Sequence, residues 1–291
     1  MLIMEVIMIY AVTGSTGNFG ALAIQSLLDQ GISPSSITAI ARNEAKTEGL
    51  KAKGIIVRIA DYNDKASLES ALKGVERLLI VSGSEVGQRA EQHHNIIAGA
   101  KSAGVKRIAY TSITQAATST NPLASEHKAT EEELKASGIE YTILRNNWYL
   151  ENFAGDIAGA KQSGVIAAAV KTGKVGSALR SEYAEAAVRA LTGEGHAGKT
   201  YELGGLSWSY KDFADAVSTV IARPVQFKTI SEAEKKAALV GFGLPDGMAG
   251  FYAMLDTSIE NGTLSYHSDD LAKLLGRKPL SLVEGIRKIA S

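Results

Sequence analysis

The sequence has no cysteine, only 5 prolines, and aromatic residues make up just 6% of its 291 positions. Without cysteine there can be no disulfide, zinc–thiolate centre, iron–sulfur cluster or thiol nucleophile. An excess of charge of one sign is also missing, because 31 Lys+Arg balance 31 Asp+Glu. A large basic surface for nucleic acid is therefore not expected. The hydrophobic content of 45% is typical of a globular protein with one large domain or two smaller ones.

Long hydrophobic runs are absent as well. The apolar start, residues 1–12, is interrupted by Glu5, has no early Lys or Arg, and is too short to span a bilayer. We therefore expect no secretory signal, no membrane anchor and a cytoplasmic location. From Ile7 onward this segment predicts a buried strand, and Met8 is an alternative start that would make residues 1–7 an additional arm.

Short apolar runs alternate with amphipathic segments through the first half of the chain. Six runs are predicted as strands: Ile7–Val12, Ile37–Ala41, Ile55–Ala60, Leu78–Val81, Ile108–Thr111 and Tyr141–Leu144. Helices are predicted from Phe19 and over Asp64–Lys73, Gln88–Ala103 and Ala124–Ser137. Strands that are apolar on both faces, alternating with helices, predict an α/β fold with a Rossmann-type doubly wound parallel sheet. Ligands of such sheets bind beyond the carboxyl ends of the strands.

The second half is less regular, which predicts two domains. Residues 1–150 are interpreted as an NAD(P)-binding domain, to which a later segment, about 175–205, returns. Residues 151–291 are interpreted mainly as a smaller α+β domain that frames a substrate cleft. Within the second half, helices are predicted over Ser181–Thr192 and Ser209–Ala222, and strands over Lys199–Leu203 and Val225–Thr229.

A glycine-rich turn between the first strand and the first helix is the strongest functional signal. Gly14, Gly17 and Gly20 are spaced three apart. Such glycines permit a tight turn, a close approach of a pyrophosphate to the backbone, and close helix–strand packing. The helix N-terminus then offers N–H groups to the phosphates. No Lys-Ser/Thr pair follows the last glycine, so the turn predicts dinucleotide binding rather than a P-loop.

The end of the second strand indicates which coenzyme is preferred. Arg42 stands where NAD-binding proteins usually have a carboxylate, and its planar guanidinium suits the 2′-phosphate of NADP. The alternative is an ordinary solvated arginine. We predict NADPH over NADH. Asp61, after the third strand, either faces the adenine or serves as a turn or capping residue, and the sequence leaves both open.

The glycine turn, Arg42 and Asp61-Tyr62 resemble the NmrA-like atypical short-chain dehydrogenases/reductases. Three further stretches narrow the resemblance: Ser82–Arg89, Leu144–Asn152 and Gly241–Gly247. Together they look like the bacterial NAD(P)H:quinone oxidoreductases of the second type and, more distantly, triphenylmethane reductases. The similarity runs from about Met8 to the C-terminus. The stretches Leu144–Asn152 and Ser82–Arg89 are far more specific to these reductases than the glycine turn, which many dinucleotide-binding proteins share.

This resemblance implies reduction of a quinone or similar flat aromatic electrophile by hydride from NADPH, without flavin, in a cleft between the two domains. It also implies a set of cofactor-binding residues. Together with the strand-end positions the expected set is Thr13, Gly14, Ser15, Thr16, Gly17, Asn18, Phe19, Gly20, Arg42, Asp61, Ser82, Gly83, Ser84, Thr111, Asn147, Trp148, Tyr149, Asn152 and Arg180.

The Tyr-x-x-x-Lys pair of ordinary short-chain dehydrogenases is missing. His127 takes the place of the tyrosine and Glu131 that of the lysine. A quinone needs less assistance than a ketone, so positioning is expected to be the main catalytic effect. The proton then comes from His127, from Tyr149 or from water, and the alternative for His127 is a structural role. Trp148 and Tyr149 either stack on the reacting rings or pack in the core.

Several polar side chains have both a functional and an ordinary interpretation. Asn147 and Asn152 either hold the nicotinamide carboxamide or cap a helix. Gln88, Arg89 and Trp148 are candidate substrate contacts, although the first two are equally interpreted as solvated. His93 and His94 are adjacent on a helix and point apart, and no metal site is predicted.

Two functions fit the sequence. The favoured one is an NADPH-dependent reductase acting on small aromatic electrophiles, with no nucleic acid or membrane partner. The alternative is a redox sensor that binds NADP(H) and a protein partner without turnover, which the missing Tyr–Lys pair allows. The aromatic, Asn-rich stretch from Asn147 to Asn152 favours the enzyme, because a sensor needs no hydride-transfer site. The oligomeric state and the natural substrate are not predicted.

Overall fold

The computed structural model describes residues 8–290. It contains eleven strands: β1 Tyr10–Val12, β2 Ile37–Ala41, β3 Ile56–Ile59, β4 Arg77–Ile80, β5 Arg107–Ile113, β6 Glu140–Asn146, β7 Val165–Ala168, β8 Lys174–Val175, β9 Lys199–Leu203, β10 Trp208–Ser209 and β11 Gln226–Thr229. Its α-helices are α1 Asn18–Asp29, α2 Glu48–Ala52, α3 Lys65–Leu72, α4 Arg89–Ala103, α5 Ala124–Ala136, α6 Ala154–Ser163, α7 Arg180–Thr192, α8 Tyr210–Ile221, α9 Glu232–Gly241, α10 Asp246–Glu260, α11 Asp270–Leu275 and α12 Leu282–Ala290.

Seven strands form one central sheet in the order β3-β2-β1-β4-β5-β6-β9. β1 pairs in parallel with both β2 and β4, and Tyr10 lies opposite Ile37 on one side and Arg77 on the other. The pairs β2–β3 and β4–β5 are parallel as well. The strand order therefore reverses between β1 and β4, which confirms the predicted doubly wound fold and marks the place where such sheets bind ligands.

The strands in the middle of the sheet are apolar on both faces because helices cover them. All three residues of β1 and all five of β2 are buried. β3 departs from the expectation that every strand is buried on both faces: it lies at the sheet edge, and the Ile59 side chain is 45% exposed. The apolar composition of this strand therefore reflects β propensity at an edge and not two-sided burial.

The predicted helices and strands agree with the structure to within a few residues. Clear stop signals explain this accuracy, since Gly104 ends α4 with φ 77°, a conformation that favours glycine. Asp64 begins α3 by accepting the N–H groups of Ala66 and Ser67. The part of the predicted first strand before Met8 lies outside the described residues.

The chain packs as two compact units. The first runs to Ala116 and adds Ser125–Arg145 and Arg180–Tyr201, and it contains most of the central sheet. Its core includes Leu68, Leu78, Ile96, Tyr110 and Leu134, all fully buried. Burying such side chains contributes roughly 1.5–3 kcal/mol each.

The second unit comprises Ala117–Ala124, Asn146–Leu179 and the chain from Glu202 onward. It has its own α+β core, in which β7 pairs in parallel with β11, and β8 pairs antiparallel with β10. Four buried rings form its centre: Phe153 lies edge-on to Trp208 with centroids 5.0 Å apart, Trp208 stacks on Phe213 at 5.1 Å, and Tyr210 packs against Phe153. That this unit binds a substrate, and that a domain boundary lies at residue 150, remain predictions.

Candidate functional site

The turn between β1 and α1 has the geometry of a phosphate cradle. Gly14 has φ +57°, which favours glycine, and a Cβ on Gly20 would lie 2.2 Å from the carbonyl oxygen of Gly14. A Cβ on Gly17 would come within 3.2 Å of the same oxygen. Helix α1 begins after Gly17, and no side chain caps its N-terminus. The N-cap residue is Gly17, so no side chain of the cap itself competes with an anion for the N-terminus of α1.

Two hydroxyl groups fasten the turn to the neighbouring strands. Thr13 accepts the N–H of Val81 at 3.0 Å through Oγ1, and the Ser15 hydroxyl donates to the carbonyl of Ile40 at 2.9 Å. Both side chains are fully buried. Their hydroxyls therefore hold the turn in shape, while the more exposed positions Thr16, Gly17 and Asn18 border the cradle.

Arg42 lies at the carboxyl end of β2 with its side chain 66% exposed. Its Nη1 donates to Oε1 of Glu85 at 2.8 Å, and this hydrogen bond raises the pKa of Arg42 and lowers that of Glu85. Arg42 is thus a cation at the carboxyl edge of the sheet, as the predicted 2′-phosphate contact requires.

Asp61 has a turn role in the structure. Its Oδ1 accepts the backbone N–H of Asn63 at 2.8 Å and the Asn63 side chain at 3.1 Å. The next residue, Tyr62, donates to the carbonyl of Val81 at 3.2 Å, and burial raises its pKa to about 12. The turn interpretation of Asp61 is therefore observed, whereas its contact with adenine stays a prediction.

The loop Ser82–Ser84 is held from three sides. The N–H of Ser82 donates to the Thr111 hydroxyl at 2.9 Å, the N–H of Gly83 donates to Nε2 of His93 at 3.1 Å, and Nε of Arg89 donates to the Gly83 carbonyl at 2.8 Å. Thr111 and Gly83 both belong to the cofactor-binding set that the sequence predicts. The structure brings them together through this loop, at the carboxyl ends of β4 and β5.

His93 fixes this loop through a single tautomer, a function that sequence reasoning missed. Because Nε2 accepts from Gly83, Nδ1 carries the proton and faces the Thr130 hydroxyl at 3.0 Å. Burial, with the nearby charge of Arg89, lowers the pKa of His93 to about 3, so the ring is neutral. The sequence does not show which face of α4 packs against the loop after β4, and this contact depends on that packing.

Arg89 and Gln88 differ in their surroundings. Arg89 is 5% exposed and its Nη1 forms an ion pair with Glu126 at 2.9 Å, so its guanidinium is engaged in structural contacts. Gln88 precedes α4 and is exposed. A substrate contact for either residue stays a prediction.

His127 occupies a buried position beside β5. Its Nδ1 is 2.6 Å from the Tyr110 hydroxyl, and burial lowers its pKa well below the ordinary value. Burial likewise raises the pKa of Tyr110. The imidazole is therefore neutral near pH 7, which disfavours donation from an imidazolium. The catalytic role of His127 stays a prediction.

Glu131, at the position of the missing lysine, is buried in a charged cluster. Its Oε1 accepts from the Ser112 hydroxyl at 2.6 Å and from Nε of Arg145 at 2.8 Å, and its Oε2 accepts from Nη2 of Arg145 at 2.6 Å. A bidentate pair of this kind is strong and directional. It joins α5 to β6 where a lysine would otherwise activate a catalytic tyrosine.

In the second unit, the side-chain amide of Asn147 hydrogen-bonds to the backbone through both its nitrogen and its oxygen. Its Nδ2 donates to the carbonyls of Leu264 and Tyr266 at 3.1 and 3.2 Å, and its Oδ1 accepts the N–H of Trp148 at 2.7 Å. By contrast, Oδ1 of the preceding Asn146 is buried without a hydrogen-bond partner. An orphaned buried acceptor is costly, and it makes Asn146 a better candidate for a ligand amide than Asn147.

The remaining predicted residues have different surroundings. Trp148 packs against the core of the second unit, and Tyr149 forms an isolated parallel bridge with Ala178. Asn152 lies on a 3₁₀ turn, Leu150–Phe153, and is exposed. Arg180 begins α7 in the first unit and is half-buried. The cofactor and substrate roles of these residues stay predictions.

Comparison with known proteins identifies the family. A family model described as NAD(P)H-binding matches residues 14–194. Quinone oxidoreductase 2 of Escherichia coli K12 is 47% identical over 277 residues, which cover 95% of this chain and 96% of that protein. This chain belongs to the NAD(P)H-binding family. The match includes the glycine turn and the helices and strands from α1 through α7.

Solved structures of NAD(P)H-binding reductases share the fold over nearly the whole chain. The Escherichia coli NADPH-dependent quinone oxidoreductase complexed with NADPH superposes with a TM-score of 0.93 and 46% identity, covering 97% of this chain and 100% of that one. The Citrobacter triphenylmethane reductase complexed with NADP(H) gives a TM-score of 0.93 at 39% identity, covering 96% and 99%. These findings confirm the resemblance inferred from the sequence.

Within the described residues of this NAD(P)H-binding protein, no helix is both long and apolar enough to cross a membrane. Across residues 8–290, no group of three or more His, Cys, Asp or Glu side chains is arranged to hold a metal ion. The cytoplasmic location and the independence from metals stay predictions.

Proposed function

We propose that this protein is a reductase that transfers hydride from NADPH to quinones or similar flat aromatic electrophiles, without a flavin. The observation that carries the proposal is the 47% identity to quinone oxidoreductase 2 over 95% of the chain. The NADPH and NADP(H) complexes of two related structures support the choice of coenzyme.

The residues of the first unit fit a dinucleotide phosphate group. Glycine at position 20 lets α1 pack directly on the backbone of the turn, where a Cβ would collide with the Gly14 carbonyl, and the N-terminus of α1 follows at Gly17, a residue with no side chain to compete with a phosphate. Arg42 provides the cation for a 2′-phosphate at the end of the adjacent strand. NADPH is therefore the coenzyme that the described side chains are best suited to hold.

The chain's own residues act mainly by positioning. NADPH supplies the hydride, and a quinone that accepts it becomes a hydroquinone anion that needs one proton to complete a two-electron reduction. Thr13 and Ser15 keep the turn rigid, and His93 and Arg89 keep the loop Ser82–Ser84 in place. Such fixed geometry lowers the entropic part of the barrier.

Proton delivery does not follow the usual Tyr–Lys route, since those positions carry His127 and Glu131. His127, Tyr149 and water are the candidate donors that we propose. The lowered pKa of His127 means that little imidazolium exists near pH 7. Donation by this residue would therefore come from a neutral ring, which is a weak acid.

The decisive assay follows NADPH absorbance after a benzoquinone or naphthoquinone is added, with anaerobic controls lacking enzyme or quinone. We expect stoichiometric oxidation of NADPH and formation of hydroquinone by protein that has been checked to contain no flavin. Protein that binds NADPH but never oxidises it across a quinone panel would instead fit the redox-sensor alternative.

The coenzyme preference is tested with Arg42→Ala. We expect NADPH to bind about tenfold or more weakly and NADH to change less than about twofold, because only NADPH has the 2′-phosphate. Lys51→Ala is the matched control: Lys51 is a nearby surface cation that pairs with Glu44 at 2.6 Å. Equal losses for both coenzymes in Arg42→Ala would remove the 2′-phosphate role.

A further inference from the structure

Arg42 is already engaged by an anion of the chain itself. Its Nη1 lies 2.8 Å from Oε1 of Glu85, and these residues are 43 positions apart in the sequence. The contact therefore joins the segment after β2 to the loop after β4, at the carboxyl edge of the sheet. Both side chains are accessible, with 66% of Arg42 and 36% of Glu85 exposed.

A second contact fixes the Glu85 carboxylate where it is. Its Oε2 accepts from Nε2 of Gln92 at 2.8 Å, and Gln92 is a buried residue of α4. A buried amide on a helix is a well-placed anchor, because its side chain has few other conformations available. The carboxylate is thus held beside the guanidinium by a contact that does not involve Arg42.

A carboxylate and a phosphate are both anionic acceptors that bind the same guanidinium donors. A phosphate that approaches Arg42 would meet the Glu85 charge within a few ångströms, and like charges at that separation repel. The phosphate would have to displace the carboxylate from Nη1. The displaced Glu85 would still keep Gln92 and gain water, so the exchange would leave no buried charge unpaired.

We propose that Glu85 is an internal competitor for the 2′-phosphate of NADPH: it occupies Arg42 in the free protein and so tempers the preference for NADPH over NADH. This rests on the proposed function, in which Arg42 recognises the 2′-phosphate. The role of Glu85 is to set coenzyme specificity. It weakens NADPH binding and leaves NADH binding, which involves no phosphate at Arg42, nearly unchanged.

The test is the isosteric variant Glu85→Gln, which removes the charge and keeps the size. Titrations with NADPH and NADH are paired with 2′,5′-ADP and 5′-AMP, which cannot transfer hydride and differ by the 2′-phosphate. We expect NADPH and 2′,5′-ADP to bind about three- to tenfold more tightly, and NADH and 5′-AMP to change less than about twofold.

Two further variants make the result specific. Glu44→Gln removes an equal charge from the segment after β2, but Glu44 pairs with Lys51 and not with Arg42, so it should leave the four affinities unchanged. In the Arg42→Ala background, Glu85→Gln should no longer tighten 2′,5′-ADP. Retention of the effect without Arg42, or an equal effect of Glu44→Gln, would indicate general charge repulsion and overturn the proposal.

Other outcomes of Glu85→Gln also overturn it. Unchanged affinities would mean that the ion pair does not compete, weaker binding of NADPH alone would make Glu85 a positioning residue for Arg42, and weaker binding of all four ligands would make it a coenzyme contact. The proposed reductase function fails separately, by an absence of quinone turnover, because the 2′,5′-ADP and 5′-AMP titrations require no hydride transfer.

Discussion

At the scale of single residues, the turn after β1 depends on the side chain that Gly20 lacks. A Cβ there would lie 2.2 Å from the Gly14 carbonyl oxygen and 2.8 Å from Cα of Ser15, both backbone atoms. Backbone cannot rotate away as a flexible side chain can, so α1 would have to move off the turn. The same displacement would move the N–H groups at the start of α1 away from the phosphates.

We therefore expect Gly20→Ala to lower the free energy of unfolding by about 1–3 kcal/mol, as overpacking commonly does, and to weaken NADPH and NADH binding together. Urea unfolding and coenzyme titration measure the two effects. Gly49→Ala is the matched control, since Gly49 lies in helix α2 with no atom within 4 Å of a new Cβ. Wild-type stability and affinity in Gly20→Ala would show that the turn adapts and that the glycine spacing is dispensable.

Residue types in the sequence were enough to predict this turn and Arg42, because local spacing determines both. They were not enough for the groups that support the site. In the sequence, His93 stands out only as a neighbour of His94 and Glu85 only as one residue of the Ser82–Arg89 stretch. In the structure, His93 accepts the N–H of Gly83 and Glu85 accepts a hydrogen bond from Arg42. Each of these contacts joins a loop to a residue whose position depends on how a helix lies against the sheet.

At the scale of elements, helices α4 and α5 each place a neutral histidine against β5. His93 lies edge-on to the Tyr110 ring with centroids 5.3 Å apart, and His127 contacts the Tyr110 hydroxyl. The charged groups nearby are Arg89, which lowers the pKa of both histidines further, and its partner Glu126. The interface between these helices and the sheet therefore favours the neutral form of both imidazoles.

This arrangement predicts acid lability. The pKa of His93 is lowered from 6.5 to about 3 by burial, so the unfolded chain takes up a proton at this residue below pH 6.5 while the folded protein does not. The contribution of the neutral His93 to the free energy of unfolding is therefore complete above pH 6.5 and is lost as the pH falls toward 3, by about 1.4 kcal/mol per pH unit.

The measurement is urea unfolding at pH 7 and pH 5 for the wild type and for His93→Gln. We expect the variant to be less stable at pH 7 but to lose about 2 kcal/mol less between pH 7 and pH 5. An identical pH dependence in His93→Gln and wild type would show that His93 is protonated as readily when folded as when unfolded.

At the scale of the whole molecule, the two units differ in how well the sequence predicts them. In the first unit, periodic apolar runs separated by glycine stops determine the helices and strands, and their alternation predicts a parallel sheet. In the second unit, β8 and β10 have only two residues each, and β7 pairs with β11 across 61 residues from Val165 to Gln226. Pairings so short and so distant leave no local pattern in the sequence.

The second unit instead shows a feature that no pattern revealed, a lysine shared by two carboxylates. Nζ of Lys235 on α9 lies 3.8 Å from Oδ1 of Asp156 on α6 and 3.8 Å from Oδ2 of Asp256 on α10, and it donates to the Ala167 carbonyl of β7 at 3.2 Å. Burial raises the pKa of both aspartates, while Lys235 opposes the rise. One cation thus links four elements of this unit.

Lys235→Met should therefore destabilise the second unit by about 2–4 kcal/mol at pH 7, because two largely buried carboxylates would face each other without a cation. Hydrogen exchange of α6, α9 and α10 measures the loss directly. Lys236→Met is the matched control, since the partner of Lys236 is the exposed Asp246 and surface pairs contribute little.

Protonation of the aspartates removes the repulsion between them. The loss of stability in Lys235→Met relative to wild type should therefore shrink as the pH falls from 7 to 5. A deficit that is independent of pH would mean that Lys235 acts through packing and its bond to Ala167, and not through its charge.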